Sequence, residues 1–117
     1  MFAAIYLFPV RRERVEEFLR VQAAARGVYL EHGCLDDATY AASDLAPKYG
    51  CASFADGIPL DPGEELFVGV SSFRDRAHHD EVMARVDADE RIAALYDEVT
   101  KLFDIARVVR GEFERRL

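Results

Sequence analysis

The stretch FAAIYLF at residues 2–8 is apolar at every position. Successive side chains of a strand point to opposite faces, so Ile5 and Tyr6 lie on different faces and both of these faces are apolar. A strand that is buried on one face only alternates apolar with polar residues. This strand is therefore predicted to be covered on both faces. Pro9 has no N–H to donate and is predicted to end the strand.

The first half of the chain alternates strand and helix. A long helix is predicted over Arg11–His32, with Gly33 as its left-handed stop, and a strand with several polar positions over Cys34–Ala42. Residues 43–63 hold three of the four prolines and three of the seven glycines. A connection of this length is either a functional loop or a short irregular element, and Phe54 and Ile58 are predicted to tether it.

The second half repeats the alternation. A strand is predicted over Glu65–Phe73, where Gly69 indicates a bulge or the close approach of another group. Asp75 is a good N-cap for the second helix. The helical pattern breaks near Asp87–Asp89, and then resumes as a clean apolar stripe. That stripe consists of Ile92, Leu95, Tyr96, Val99 and Phe103, and a last strand is predicted over Ala106–Phe113.

The order of these elements is βαββαβ, with the second helix broken. This order predicts one α+β domain over residues 1–117 with a ferredoxin-like fold, an antiparallel sheet with helices on one face. The other face is also apolar, and an apolar patch of this size is unusual on a monomer. A second copy that packs sheet to sheet would cover it, so the chain is predicted to be a homodimer, a dimeric α+β barrel.

Composition excludes several classes of function. The chain has 117 residues, 15 basic and 22 acidic, with a net charge of −7, so it would repel nucleic acid. The longest apolar run, residues 2–10, is about half of the ~20 residues that a membrane-spanning helix needs. Basic residues follow this run rather than precede it, so it is no signal peptide. A cytoplasmic location is expected, with Cys34 and Cys51 as ordinary thiols.

Four segments of the second half resemble a known family. They are FRDRAHHDEV (73–82), DERI (89–92), LFD (102–104) and RVVRGEFE (107–114), and EHGCL (31–35) and Ser53-Phe54 match it too. The chain resembles the YbaA-like family of uncharacterised bacterial proteins (domain of unknown function 1428). The resemblance implies membership of the dimeric α+β barrel superfamily. That superfamily includes small monooxygenases, isomerases, haem enzymes and binding modules, but the family itself has no established activity.

The chain departs from that family at two positions that bear on a pocket. Relatives usually carry Gly-Gly in the last strand, where this chain has Gly111-Glu112, and often carry an acidic residue on the second strand, where Thr39 stands here. A pocket inferred for the family is therefore expected to differ in this member.

Histidines at the start of the second helix are the first candidates for chemistry. His78 and His79 flank the apolar Val82, so His78 is a candidate proton carrier that faces a pocket. The alternative is a capping and packing role beside Asp75. His78, His79 and Asp80 are consecutive, so they diverge around the helix, and no metal site is predicted. No cofactor is predicted either, because no dinucleotide or phosphate-binding motif is present.

Charged residues around the second helix are candidates for ligand binding. Arg76, Asp80, Asp104 and Arg107 form this set. Arg107 with Asp104 is a candidate grip on a carboxylate ligand. The alternative is a set of ion pairs that tie the second helix to the last strand.

Two further candidates lie on the first helix and the first strand. His32 is predicted to be a ligand-binding residue or, more simply, a cation favoured by the dipole at the end of the first helix. Tyr6 is predicted to orient a substrate with its hydroxyl, or to be core packing. A barrel lined by Phe, Tyr and Leu suits a small apolar or aromatic molecule.

Two functions follow from these features. The first is a dimeric barrel that binds a small apolar or aromatic metabolite. If it is an enzyme, it is a cofactor-independent monooxygenase or isomerase, with His78 as proton carrier and Tyr6 as orienting residue. The second is a non-catalytic interaction or regulatory dimer without a small-molecule site, because every polar candidate has a plausible structural partner.

Overall fold

Four antiparallel strands form one sheet in the computed structural model, which describes residues 1–117. The strands are β1 (Phe2–Arg11), β2 (Asp36–Ala41), β3 (Glu64–Phe73) and β4 (Val109–Glu114), in the spatial order β2-β3-β1-β4. The helices are α1 (Val15–Glu31), α2 (Phe54–Gly57), α3 (Arg76–Asp87) and α4 (Glu90–Val99). The predicted ferredoxin-like α+β fold is confirmed.

The register of the sheet sorts its residues into a helix-covered face and an open face. Residues directly opposite each other share a face. Tyr6 lies opposite Gly69 on β3 and Arg110 on β4, and Phe8 on the same face packs its ring 5.2 Å from that of Phe18 in α1. The even-numbered residues of β1 therefore face the helices. Of the odd-numbered residues, Ala3, Ile5 and Leu7 form the open face, whereas Pro9 on the same side is buried.

The prediction that Pro9 ends the first strand is wrong. β1 continues to Arg11, with Pro9 opposite Leu66 of β3. The pairing of β1 with β4 stops at Leu7, so beyond that residue β1 is an edge strand on one side. A proline is tolerated in such a stretch, because no neighbouring strand is there to receive an N–H.

The helix ends follow the predicted signals. α1 begins at Val15 because Arg12–Arg14 form a separate 3₁₀ turn, and it ends before Gly33, whose φ of 104° is the predicted left-handed stop. Asp75 caps α3: its carboxylate accepts a hydrogen bond from the backbone N–H of His78 at 2.8 Å. Asp89 caps α4 in the same way, so the predicted break is confirmed. None of these helices has both the length and the apolar character to cross a bilayer.

The long connection between β2 and β3 contains one short helix. α2 begins with a capping box, in which Ser53 and Asp56 exchange side-chain and backbone hydrogen bonds. Ile58 is buried and tethers the segment as predicted, but Phe54 is exposed, so that half of the prediction is wrong. The last strand starts at Val109, later than predicted, because residues 105–107 form a 3₁₀ turn.

Gly69 leaves room for the aromatic packing beneath it. A Cβ at this position would lie 3.1 Å from Cε2 of Phe8, closer than ordinary van der Waals contact. The Phe8 ring cannot retreat easily, because it packs against Phe18 and Phe103 at centroid distances of 5.2 and 5.7 Å. The register passes Gly69 without a bulge. Of the two predicted explanations, close approach is the one observed.

We expect Gly69→Ala to lower the free energy of unfolding by about 1–3 kcal/mol, the usual cost of forcing a methyl group into a packed site. The matched control is Gly27→Ala on the exposed side of α1, where nothing lies within 4 Å of the added Cβ. That change should raise the stability by about 0.5–1 kcal/mol, because alanine favours a helix. Urea unfolding of both variants checks the opposite signs. Equal stability of Gly69→Ala and the native chain would contradict the close contact.

Candidate functional site

A cleft of about 230 Å³ lies between the helix-covered face of the sheet and helices α1 and α4. Its walls are mostly apolar, and its polar residues cluster toward β2 and α1. Tyr96 and Ile105 are exposed at about half of their surface and line the cleft as well, so they mark its mouth. Clefts of this kind, apolar with a few converging polar groups, are the usual form of a small-molecule site.

The floor of the cleft is aromatic. The rings of Tyr6 and Phe8 stack at 5.8 Å, nearly parallel, and Phe103 lies 5.7 Å from Phe8. The guanidinium of Arg110 sits 5.1 Å above the Tyr6 ring, outside the cleft lining. Flat aromatic surfaces of this type bind rings by stacking and edge contacts.

The wall opposite the floor comes from α4. Four residues of the apolar stripe predicted from the sequence lie on α4 and line the cleft: Ile92, Leu95, Tyr96 and Val99. The fifth, Phe103, lies beyond the end of α4 and lines the cleft as part of its floor. No residue of α4 is fully buried, although its stripe faces inward. The stripe therefore packs against the core in part and borders the open space of the cleft in part.

Asp37 and Ser71 form the polar end of the cleft. They lie opposite each other on β2 and β3, and the Ser71 hydroxyl donates a hydrogen bond of 2.6 Å to Oδ1 of Asp37. Burial raises the pKa of the Asp37 carboxyl above its ordinary range, against the smaller opposing effects of Ser71 and the Arg26 guanidinium. A carboxyl whose pKa moves toward neutrality is suited to accept and return a proton.

Tyr29 of α1 completes the polar end. Burial raises the pKa of its phenol well above the usual 10, and the nearby Tyr6 and Asp37 raise it further. The hydroxyl is therefore protonated at neutral pH and able to donate. Gln22, also on α1, lines the cleft and donates from Nε2 to Oγ1 of Thr39 at 3.2 Å.

These polar residues were missed at the level of sequence. Asp37, Ser71, Tyr29 and Gln22 were not among the predicted site residues. A signal for two of them existed, because the period of two on β2 and β3 places Asp37 and Ser71 on the face of the sheet that the helices cover. Recognising it required the register between the two strands, which the sequence did not define.

Of the two predicted catalytic residues, Tyr6 lines the cleft and His78 does not. His78 is buried at the start of α3, and its Nδ1 accepts a hydrogen bond of 3.0 Å from the backbone N–H of Arg74. Its ring also packs against Phe73. This arrangement corresponds to the capping and packing alternative, and the catalytic role of His78 stays a prediction.

The neighbouring His79 and Asp80 bond to each other. Nδ1 of His79 lies 2.9 Å from Oδ1 of Asp80, and the imidazole packs between Phe2 and Phe73 at centroid distances of 4.8 Å. No group of three or more His, Cys, Asp or Glu side chains is arranged to hold a metal ion.

The predicted ligand-binding arginines form ion pairs within the fold. Arg76 lies over the ring of Phe2 and within 3.9 Å of Glu112 and 3.7 Å of Glu114, so it ties α3 to β4. Arg107 pairs with Glu64 through two hydrogen bonds of 2.7 and 2.8 Å, and its guanidinium lowers the pKa of that carboxyl.

Asp104 is not joined to Arg107 by a side-chain bond. Its carboxylate instead caps the 3₁₀ turn by accepting from the N–H of Ala106 at 3.0 Å. The structure therefore does not assemble the predicted grip of Arg107 and Asp104 on a carboxylate ligand.

His32, at the end of α1, is hydrogen-bonded to the start of α4 and to the end of α3. Its Nε2 lies 2.8 Å from Oδ2 of Asp89, the N-cap of α4. The pKa of Asp89 is held well below its usual range, chiefly by Arg91 and next by His32. Arg85 of α3 donates a 2.7 Å bond to the carbonyl of His32. His32 lies outside the cleft, in the position that the helix-dipole alternative describes.

The two departures from the family pattern both face the helices. Thr39 receives the hydrogen bond from Gln22, and Glu112 accepts a 2.8 Å bond from Arg110, which lowers the pKa of the Glu112 carboxyl. Neither residue lines the cleft.

We expect Asp37→Asn to stabilise the chain at neutral pH. The folded state raises the pKa of Asp37 above its unfolded value of about 3.9. The protonated Asp37 carboxyl therefore contributes its full share of the free energy of unfolding below about pH 3.9. That share is lost as the pH rises through the higher pKa of the folded state. The free energy of unfolding of Asp37→Asn should exceed that of the native chain most near neutral pH, and the difference should vanish in acid.

Urea unfolding across that pH window measures this difference. Asp36→Asn removes the same charge from the exposed neighbour, which pairs with Arg26 at 3.1 Å, and should show no gain. A loss of stability in Asp37→Asn at neutral pH would mean that burial does not penalise the charged carboxylate.

Solved structures of several proteins share the fold. An uncharacterised NIPSNAP domain protein from Burkholderia xenovorans matches with 13% identity and a TM-score of 0.59, over 98% of this chain and 94% of that one. An antibiotic biosynthesis monooxygenase matches with 15% identity and a TM-score of 0.61 over all of both chains. A protein from Arabidopsis thaliana matches with 12% identity and a TM-score of 0.65, over 100% and 97%. At such identities the likeness concerns the fold alone.

The sequence itself identifies the family. No curated protein matches the chain. The model of one family of unknown function does match, over residues 1–105, which is nearly the whole chain. The chain belongs to the DUF1428 family of proteins of unknown function.

Proposed function

We propose that this protein binds a small apolar or aromatic molecule in the cleft between its sheet and helices α1 and α4. The observation that carries the proposal is the unfilled space in front of the α4 stripe, closed at one end by Asp37 and Ser71. The stripe packs only partly against the core, whereas a stripe that served the core alone would be close-packed along its whole length.

The size of the cleft favours a ligand of one or two rings. Its volume of about 230 Å³ exceeds the roughly 150 Å³ of an apolar cavity that accepts benzene. It falls short of the roughly 300 Å³ at which pockets for larger ligands begin. The stacked rings of Tyr6 and Phe8 provide a flat surface for such a molecule.

Turnover in this cleft would be proton transfer. The Asp37 carboxylate takes a proton from a substrate carbon, the electron pair stays in the substrate, and the proton returns at another carbon, which is an isomerisation. Oxygenation without a cofactor would start with the same proton removal and would use dioxygen as the oxidant. Tyr6 orients the substrate, and Asp37 replaces His78 as the proton carrier, because His78 lies outside the cleft.

We propose further that two copies pair through their open sheet faces. The central strands present apolar residues there, with Ile5 opposite Val70 and Leu7 opposite Val68. Tyr40 and Phe113 on the flanking strands are more than half exposed. A chain with a net charge of −7 repels its own copies elsewhere, so the uncharged centre of this face is where two can approach. We also propose a cytoplasmic location, and the two free thiols agree with it.

A regulatory dimer without a ligand is the second candidate. It is favoured by one observation: the polar residues outside the cleft that suggested a ligand, such as Arg76, Arg107 and His32, have partners within the fold. A failure of every small molecule to bind, together with a stable dimer, would select it.

Native mass spectrometry of the purified protein tests the dimer. We expect two chains, and we expect Val70→Lys to release one, because a lysine at the centre of the open face would be buried without a partner. The control is Ala93→Lys on the exposed side of α4, which adds the same charge and should remain a dimer. Tyr40→Lys is a milder second variant if the first does not fold. A native monomer would refute the pairing.

Calorimetric titration with 2-naphthol, a two-ring probe, tests the cleft. We expect binding to the native chain and none to Ala25→Phe, since Ala25 lines the cleft and a phenyl ring there would fill it. Ala24→Phe, one residue away and outside the cleft lining, should bind like the native chain. Binding that survives Ala25→Phe would place the ligand elsewhere.

A further inference from the structure

The cleft carries charge of one sign only. Asp37 is the one acidic residue of its lining, and no Lys, Arg or His lines it. Two guanidinium groups act on residues of the lining: Arg26 opposes the rise that burial causes in the pKa of the Asp37 carboxyl, and Arg110 lies 5.1 Å from the Tyr6 ring centroid. Each is paired with a carboxylate, Arg26 with Asp36 at 3.1 Å and Arg110 with Glu112 at 2.8 Å. An anionic ligand would therefore meet a carboxylate and no cation that is free of a carboxylate partner.

The Asp37 carboxylate has room for a further donor. A carboxylate can accept about four hydrogen bonds. Within the fold, the side chain of Asp37 accepts one, from the Ser71 hydroxyl to Oδ1. No buried side-chain oxygen or nitrogen lacks a partner, so the unpaired Oδ2 is not sealed in the interior, and Asp37 lines the cleft. The Ser71 bond fixes the carboxylate in place, because both residues sit on paired strands.

The surroundings make this oxygen the polar anchor of the cleft. The walls nearby are the rings of Tyr6 and Tyr29, and the remaining lining is largely apolar. Hydrogen bonds to a charged group gain strength where water is scarce, and repulsion between like charges grows there too. One carboxylate in such a place therefore selects strongly between donors and anions.

We infer that the ligand of this cleft is a neutral or cationic aromatic molecule with a hydroxyl or amine group that donates a hydrogen bond to Asp37. Aromatic molecules that carry a carboxylate or phosphate are excluded by the same residue. The inference rests on the proposed binding function and adds the chemical class of the ligand to it.

Two probes with one ring system test this selectivity. 2-Naphthol carries a neutral donor near neutral pH, and 2-naphthoate carries a carboxylate on the same rings. We expect the native chain to bind 2-naphthol at least about tenfold more tightly than 2-naphthoate, the least that a hydrogen bond to a charged group contributes. Calorimetric titration of both probes gives the ratio.

Matched variants assign the ratio to one carboxylate. Asp37→Asn keeps the shape of the side chain and removes its charge, so the ratio should fall to near one. Glu81→Gln removes the same charge from an exposed position on α3 and should keep the native ratio. Asp37→Ser is the second variant if the first does not fold.

The outcomes separate this inference from the proposed function. Equal affinity of the native chain for the two probes, or a native ratio in Asp37→Asn, overturns the inference and leaves the cleft as a binding site. A failure of both probes to bind overturns the proposed function and the inference together. A high native ratio that is lost only when position 37 changes supports both.

Discussion

The first strand is apolar on both faces, and the rest of the structure depends on this constraint. β1 lies in the middle of the sheet, between β3 and β4. Its even-numbered residues require helices over them, and α1 covers Phe8 with the ring of Phe18. Its odd-numbered residues leave an apolar face open. One strand thus defines a face for the interior of the subunit and a face for the proposed partner.

The architecture could be predicted from the sequence, because it follows from local patterns. The period of two in residues 2–8, the caps at Asp75 and Asp89, and the stop at Gly33 each act within a few residues. Where prediction was wrong, a distant neighbour decided the outcome. Pro9 remains in its strand because β4 does not extend far enough to need its N–H, and no local pattern carries that information.

The candidate site could be predicted only in part, for the same reason. The stripe on α4 was visible because helical spacing is local, and Tyr6 was visible as a polar aromatic residue on an apolar strand. Asp37 and Ser71 are 34 positions apart and become a pair only through the register of β2 with β3. Histidines and arginines were predicted as site residues because their side chains are reactive or charged. Here His32, Arg76 and Arg107 form ion pairs that hold elements of the fold together.

The distribution of charge links these observations to the choice of ligand. Most of the arginines discussed here are paired with carboxylates at the surface, where exposed pairs contribute little to stability. Asp37 is half-buried at the cleft, and burial raises the pKa of its carboxyl against the smaller effects of Ser71 and Arg26. A chain selected for stability alone would place a neutral residue here, since the burial of this charge outweighs what Ser71 and Arg26 return. Its presence at the end of an apolar cleft is explained if a molecule from solution supplies the missing donor.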